Sequence, residues 1–266
     1  MNKVGFIGMG NMASALAKAI SKTGASIIAS NRSNDKLHKA CTSLKMKQAT
    51  NIEVASDSEY VFLGVKPQIY PSVLEEIKEV LSERKDDYKV VSMAAGVTID
   101  TIKEYLGKDT KVIRIMPNLP VGLEEGVVLI AYDDLASVED KEEFKSLLRK
   151  SGTLLEVPEN KIDAGSTISG CGPAFMYILM DAMIDGGISL GLTAKEARTL
   201  AAQTLIGAGK TVLSKDKALS ELKNEVCSPN GTTIEGVKAL EENGFRNSMI
   251  KAIEAVNRRS KELAKK

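Results

Sequence analysis

The sequence predicts an α/β fold, with an N-terminal doubly wound sheet over residues 1–158 followed by an all-α C-terminal domain over residues 159–266. Three observations predict it. Short apolar runs of strand length recur through the first part of the chain and amphipathic stretches separate several of them, the alternation of a parallel sheet with helices on its faces. A glycine-rich turn follows the first of these runs. Past Pro158 no convincing strand pattern remains, and apolar residues fall at helical spacing.

The first run, Lys3–Ile7, reads as a buried strand entering Gly8-Met9-Gly10-Asn11-Met12-Ala13, with a helix to Thr23 and Gly24 as its C-terminal cap. Gly8 suits a tight turn, Gly10 lets the backbone approach a pyrophosphate, and Ala13 lets the helix pack close to the strand. A strand before and a helix after make this a Rossmann-type dinucleotide fingerprint. The second strand is Ser26–Ser30. At its end, where an acidic residue would accept the ribose hydroxyls of NAD, the chain has Asn31-Arg32-Ser33. An arginine between small polar residues suits a 2′-phosphate, so NADPH is expected, with NADH as the alternative. Strands follow at Tyr60–Val65, Val90–Ala94, Val112–Met116 and Val127–Ala131. At their carboxyl ends, where open α/β sheets gather ligands, lie Val65-Lys66-Pro67, Ala94-Ala95-Gly96 and Met116-Pro117-Asn118. Any one of these alone reads equally well as a strand exit.

Composition narrows the chemistry. A formal net charge of +1 gives no reason to expect nucleic acid, and the basic tail from Asn257 reads as a solvated helix end. With no charged-then-apolar leader, the expectation is a cytoplasmic protein. Asp181 and Asp185 interrupt the most hydrophobic stretch, Ala174 to Leu190, so no membrane span is expected. The cysteines, Cys41, Cys171 and Cys227, are widely spaced and read as free thiols. The one histidine, His38, falls on a helix from Ser33 to Leu44 where a surface position is expected. No metal site and no histidine triad are therefore expected, and the reaction must lean on a cofactor, amides, hydroxyls, carboxylates or lysines.

In the helical domain, Phe175, Ile178, Leu179, Ala182 and Met183 give one helix more apolar surface than a lone helix carries, which points to a subunit interface. Thr193 with Glu196 caps a helix running through Ala201 to Leu213. Its Gly207-Ala-Gly-Lys-Thr211 imitates the end of a P-loop, but no strand precedes it and Thr204 stands where the pattern needs glycine. Further on, Val226-Cys-Ser-Pro-Asn-Gly-Thr-Thr-Ile-Glu-Gly236 combines a turn at Pro229-Asn230-Gly231 with a capping box of Thr232 and Glu235. A helix start of this kind suits a small carboxylate or phosphate; the alternative is an ordinary loop-to-helix turn.

Together, Gly5-Phe-Ile-Gly-Met-Gly-Asn-Met-Ala13, Val65-Lys-Pro67, Ala94-Ala-Gly96, Arg114-Ile-Met-Pro-Asn118, Ser169-Gly-Cys-Gly-Pro-Ala174 and Ser228-Pro-Asn-Gly-Thr-Thr-Ile234 resemble the pyrroline-5-carboxylate reductases. The match runs the length of the chain, in order. The resemblance implies NADPH-dependent reduction of 1-pyrroline-5-carboxylate to L-proline, the final step of proline biosynthesis. It also implies a C-terminal dimerisation domain intertwined between subunits, giving a homo-oligomer: dimers that assemble into pentamers of dimers. By the same resemblance, Ile7, Gly8, Met9, Gly10, Asn11 and Met12 hold the pyrophosphate, and Asn31, Arg32 and Ser33 meet the adenosine end. Asn51, Val65, Lys66 and Pro67 flank the cofactor, and Ala94, Ala95 and Gly96 lie along the nicotinamide. The substrate would be held by Glu159, Ser228, Gly231, Thr232 and Thr233. Two positions depart from the family pattern: Asn230 stands for the usual glycine, and Glu225 stands where some relatives have an asparagine near the cofactor.

A C=N bond accepts hydride readily when its nitrogen is protonated or hydrogen-bonded, so a positioned hydroxyl suffices, and Thr233 is the catalytic candidate. Two rival readings are a 3-hydroxyacid dehydrogenase relative and a non-catalytic NADPH-binding regulatory subunit. The first needs a lysine in the first interdomain helix, and Gly172 to Met183 has none. The second has little use for adjacent threonines in an anion loop.

Overall fold

The computed structural model describes residues 2–264. The elements in chain order are β1 (Lys3–Ile7), α1 (Asn11–Ser21), β2 (Ser26–Ser30), α2 (Asn34–Leu44), β3 (Lys47–Gln48), α3 (Asn51–Asp57), β4 (Tyr60–Leu63), α4 (Tyr70–Glu83), β5 (Lys89–Ser92), α5 (Ile99–Leu106), β6 (Lys111–Pro117), β7 (Gly126–Tyr132), α6 (Val138–Leu148) and β8 (Gly152–Glu156). Then come only helices: α7 (Ile162–Ser169), α8 (Gly172–Ser189), α9 (Ala194–Ser214), α10 (Leu219–Val226), α11 (Thr232–Glu242) and α12 (Phe245–Ala264).

The strands form one eight-stranded sheet in the order β3-β2-β1-β4-β5-β6-β7-β8, a doubly wound topology in which the direction of winding reverses at β1. Alternate residues of β1 supply opposite layers. Phe6 stacks on Phe62 of β4 at 4.7 Å in the core beneath α1 and α6, whereas Ile7 joins Leu63, Leu74 and Ile77 on the other face.

Two features of the sheet differ from the sequence expectation. β7 pairs antiparallel to β6, so the sheet is mixed. The reason is the link: a 3₁₀ turn, Leu119–Leu123, is too short for the crossover that a parallel partner requires. β3 and β8 are additional strands, and Tyr60–Val65 and Val90–Ala94 end early, at Leu63 and Ser92, leaving Val65 and Ala94 in loops. The first helix also ends early, at Ser21, and Gly24 takes its φ of +87° in the following turn.

At the amino ends of β5 and β6 a closed ring of charges sits opposite the glycine turn. Lys89, 3% exposed, lies 2.8 Å from both Asp87 and Asp140, and Lys111 lies 2.8 Å from the same two carboxylates. Burial opposes the charge on Asp140, but hydrogen bonds from both lysines and the Ser137 amide hold its carboxyl well below the usual range.

The chain divides into two compact units, residues 1–170 with the chain end from Asn257, and residues 171–256. The first unit runs on past Pro158 to Gly170 because α7 packs on the sheet: Ile162 is fully buried with Leu129, and a Cβ on Gly165 would stand 2.6 Å from Leu129. In the second unit α8 buries none of its residues, and Tyr177 and Ile178 are 61% and 71% exposed. The stretch Glu159–Ser189 is long and apolar enough, by length and composition, to cross a membrane, so Asp181 and Asp185 do not interrupt it as expected. Two charges in such a window leave its mean hydropathy high.

Candidate active site

The glycine turn is built as its sequence demands. Gly8 has φ of +94°, and its amide donates to the Ser30 carbonyl at 2.9 Å. A Cβ there would lie 2.7 Å from Val65 and 2.9 Å from the backbone of Gly64. Gly64 returns the constraint, since its own Cβ would stand 2.3 Å from the Gly8 carbonyl oxygen and 2.9 Å from Ala13. Two glycines and an alanine thus set how closely β4, the turn and α1 approach. Gly10 caps α1 with no side-chain hydrogen bond among the described residues, which leaves the first amides of the helix outward and positive.

The end of β2 is tied to this turn. The Met9 amide donates to Asn31 Oδ1 at 3.1 Å, and Asn31 Nδ2 donates to the Ser33 carbonyl at 3.1 Å. Ser30 Oγ donates to Asn51 Oδ1 at 2.6 Å, and Asn51 Nδ2 donates to Glu76 at 2.7 Å. Arg32 is exposed and makes no hydrogen bond or ion pair among the described residues. Beside the turn lies a cavity of about 630 Å³ whose lining includes Met9, Gly10, Asn11, Lys18, Lys36 and Lys39. The electrostatics of this end of the sheet suit an anion. His38, on α2, is exposed and contacts Gln48 at 3.0 Å.

At the adjoining strand ends, Lys66 precedes a 3₁₀ turn opened by Pro67, and Ala95 and Gly96 are exposed, Gly96 at φ of +74°. Glu159 lies against this loop: its Oε1 accepts from the Ile99 amide at 2.7 Å and from Arg114 at 3.3 Å.

In the second unit, the loop before α11 closes with the Gly231 amide donating to the Ser228 carbonyl at 3.0 Å. Asn230 sits in the left-handed region at φ of +57°, which asparagine tolerates where most residues do not. A Cβ on Gly231 would meet Ser228 Oγ at 2.4 Å. Gly231, not Thr232, is therefore the N-cap of α11, and no side chain caps it among the described residues. The expected capping box is absent because the helix starts one residue earlier; Glu235 pairs with Lys238 at 2.7 Å instead. This start leaves more donors unpaired, and Thr232 and Thr233 are exposed in the first turn of the helix. Glu225 is held by Lys215 at 3.2 Å and by Lys217, which neutralise a carboxylate that would otherwise repel an anion.

Each unit thus gathers its own set of the expected residues, the glycine turn with Asn31, Asn51, Lys66 and Ala94–Gly96 in the first, and Ser228 to Thr233 in the second. Gly64, Ser30 and Glu76 were not legible as site residues. Gly64 alone carried a signal, an isolated glycine at a strand end, which marks close backbone approach.

Comparison with known proteins places this architecture. Residues 159–263 match the family model described as pyrroline-5-carboxylate reductase dimerisation, and residues 3–96 match the model described as NADP oxidoreductase coenzyme F420-dependent. The chain is 42% identical to pyrroline-5-carboxylate reductase 3 of Danio rerio, over 99% of this chain and 92% of that one. It is 39% identical to the pyrroline-5-carboxylate reductase of Methanosarcina acetivorans, over 99% and 98%. The crystal structure of Plasmodium falciparum pyrroline carboxylate reductase with NADP bound superposes with a TM-score of 0.88 at 30% identity, covering 99% of this chain and 100% of that one. By sequence over its full length and by fold, this chain belongs to the pyrroline-5-carboxylate reductase family.

Proposed function

We infer that this protein is an NADPH-dependent oxidoreductase that reduces 1-pyrroline-5-carboxylate to L-proline, closing proline biosynthesis. The observation that carries this reading is the loop from Ser228 to Thr233. A tight turn on Asn230 and Gly231 delivers an uncapped helix start carrying two exposed threonines, in a chain whose other unit holds a dinucleotide turn.

The residues present fit the cofactor. The space a Cβ would fill at Gly8 is closed by Gly64 and Val65, and the amides after Gly10 are free to meet a pyrophosphate. Ile7 to Met12 hold that group, Arg32 and Ser33 take the 2′-phosphate, Asn31 and Asn51 brace the ribose side, and Val65 to Pro67 flank the dinucleotide. Ala94 to Gly96 lie along the nicotinamide. Bound NADPH supplies the hydride that reduces the C=N carbon.

The chain's own residues do the rest. The amides of Thr232 and Thr233, with Ser228 and the turn at Gly231 that presents them, hold the substrate carboxylate, and Thr233 Oγ1 hydrogen-bonds the ring nitrogen, where the new proton must reside once the C=N bond is reduced. Glu159 is proposed as a further substrate contact. The apolar face of α8 is covered by a second copy of the chain, the dimers assemble further into decamers, and the protein works in the cytoplasm without nucleic acid or membrane. Thr233→Ala tests the assignment: turnover should fall at least about tenfold while NADPH affinity is retained, and unchanged turnover would remove Thr233 from the mechanism.

A further inference from the structure

Arg114 lies in the middle of β6, in register with Ser92 of β5 and Ala131 of β7, and is 2% exposed. A guanidinium in a sheet interior is costly unless its donors are paired. Its pairing is specific: Nη2 donates to Asp163 Oδ1 at 2.8 Å and Nη1 donates to Glu159 Oε1 at 3.3 Å, while Nε has no partner among the described residues.

That same Glu159 oxygen accepts from the Ile99 amide at 2.7 Å, and Ile99 opens α5 directly after the Ala94–Thr98 loop. The other end of the loop is held by Ser92, the cross-strand neighbour of Arg114, whose Oγ accepts from the Ala94 amide at 3.5 Å. Ser92 Oγ is in turn 3.1 Å from the Tyr70 hydroxyl, which donates to the Leu63 carbonyl at 2.9 Å. Burial pushes the Tyr70 phenol up to about 12, so it stays a donor at any working pH. Just past the end of β6, four residues after Arg114, Asn118 Nδ2 donates to the Ser169 carbonyl at 2.9 Å, so Arg114 and Asn118 together grip segment 159–169 at both ends.

We propose that Arg114 is a positioning residue, which fixes the Ala94–Thr98 loop through the Glu159 carboxylate and so sets where that loop meets the cofactor. The proposal rests on the reading that this loop lies along the nicotinamide. It also explains the spacing of Arg114 and Asn118, a pair that the substrate and cofactor assignments leave without a role.

The test compares Arg114→Met, Arg114→Lys and Asp163→Asn in the intact protein, reading thermal stability, NADPH affinity by cofactor fluorescence, and KM for NADPH against kcat. In Arg114→Met the carboxylates left behind are partly exposed, 28% for Glu159 and 41% for Asp163, so water can solvate them and the variant should fold. Its NADPH Kd and KM should rise about tenfold, the scale of losing one charged hydrogen bond that positions a binding loop, with kcat changed less. Arg114→Lys keeps the charge without the fork and should weaken NADPH in the same direction. Asp163→Asn breaks the other arm of the guanidinium pairing; it should lower stability yet leave NADPH affinity within twofold. If both Arg114 variants bind NADPH like the wild type, or if Asp163→Asn weakens it equally, the positioning role is wrong. A wild-type protein that binds no NADPH would overturn the underlying reading instead, and the two failures are therefore distinguishable.

Discussion

Gly64→Ala should damage cofactor binding although Gly64 is not itself one of the residues assigned to the cofactor. The added methyl would start 2.3 Å from the Gly8 carbonyl oxygen, a backbone atom, and 2.9 Å from Ala13 on the opposite side. Ordinary contact needs roughly 1 Å more than the first of these distances, and Ala13 blocks retreat toward α1, so the Gly8 turn must move. Overpacking of this kind costs about 1–3 kcal/mol. If that strain is relieved by a shifted turn and must be restored on binding, about 1.4 kcal/mol per tenfold makes NADPH about 5- to 150-fold weaker. The melting temperature should fall by only about 3–10 °C, because the β1 and β4 ladders are retained. Fluorescence titration with NADPH alongside a thermal melt reads both quantities. An NADPH Kd within twofold of wild type would refute the claim that Gly8 and Gly64 together shape the pyrophosphate turn.

Arg32→Ala should reduce the preference for NADPH over NADH at least about tenfold, the value of a lost charge-assisted contact to phosphate; an unchanged ratio of kcat/KM for the two cofactors would count against that contact. Asp140→Asn should destabilise the protein by about 3 kcal/mol, near the low end for breaking a buried pair, because Asp87 still faces both lysines. The sign with pH follows from the depressed folded value of Asp140: its contribution is complete above the ordinary carboxylate value, about 3.9, and is lost as pH falls through the folded value. The stability gap between wild type and Asp140→Asn should therefore hold from neutrality to about pH 5 and close only under stronger acid, and a gap that closes near neutrality would contradict the charge ring.

The first half of the sheet was legible because its devices are local. Gly8, Gly10 and Ala13 declare a turn, a close approach and a tight helix by their spacing alone, and they fold that way. What failed was non-local. An apolar run such as Val127–Ala131 looks the same whichever way it runs, so the antiparallel β7 could not be read from periodicity, and β3, only the two polar residues Lys47 and Gln48, has no periodicity to read. Gly64 is not marked as a site residue by its sequence, because the atoms it makes room for, on Gly8 and Ala13, are far away in sequence.

At the other site, Thr232 and Glu235 have capping-box spacing, yet the cap is Gly231, the residue against which Ser228 folds back. The two departures from the family pattern resolve physically: Asn230 takes the left-handed angle that glycine would, and Glu225 is neutralised by two lysines. The Arg114 pairing was invisible because it joins a mid-strand residue to carboxylates 45 and 49 positions away.

The most direct measurement is the stoichiometry of the reaction in the purified protein, NADPH consumed against L-proline formed, with 1-pyrroline-5-carboxylate as substrate and 3-hydroxyacids with NADP⁺ as the competing test. One proline per NADPH, with no oxidation of the hydroxyacids, is the predicted result. NADPH binding without proline formation, or turnover of hydroxyacids in its place, would contradict it.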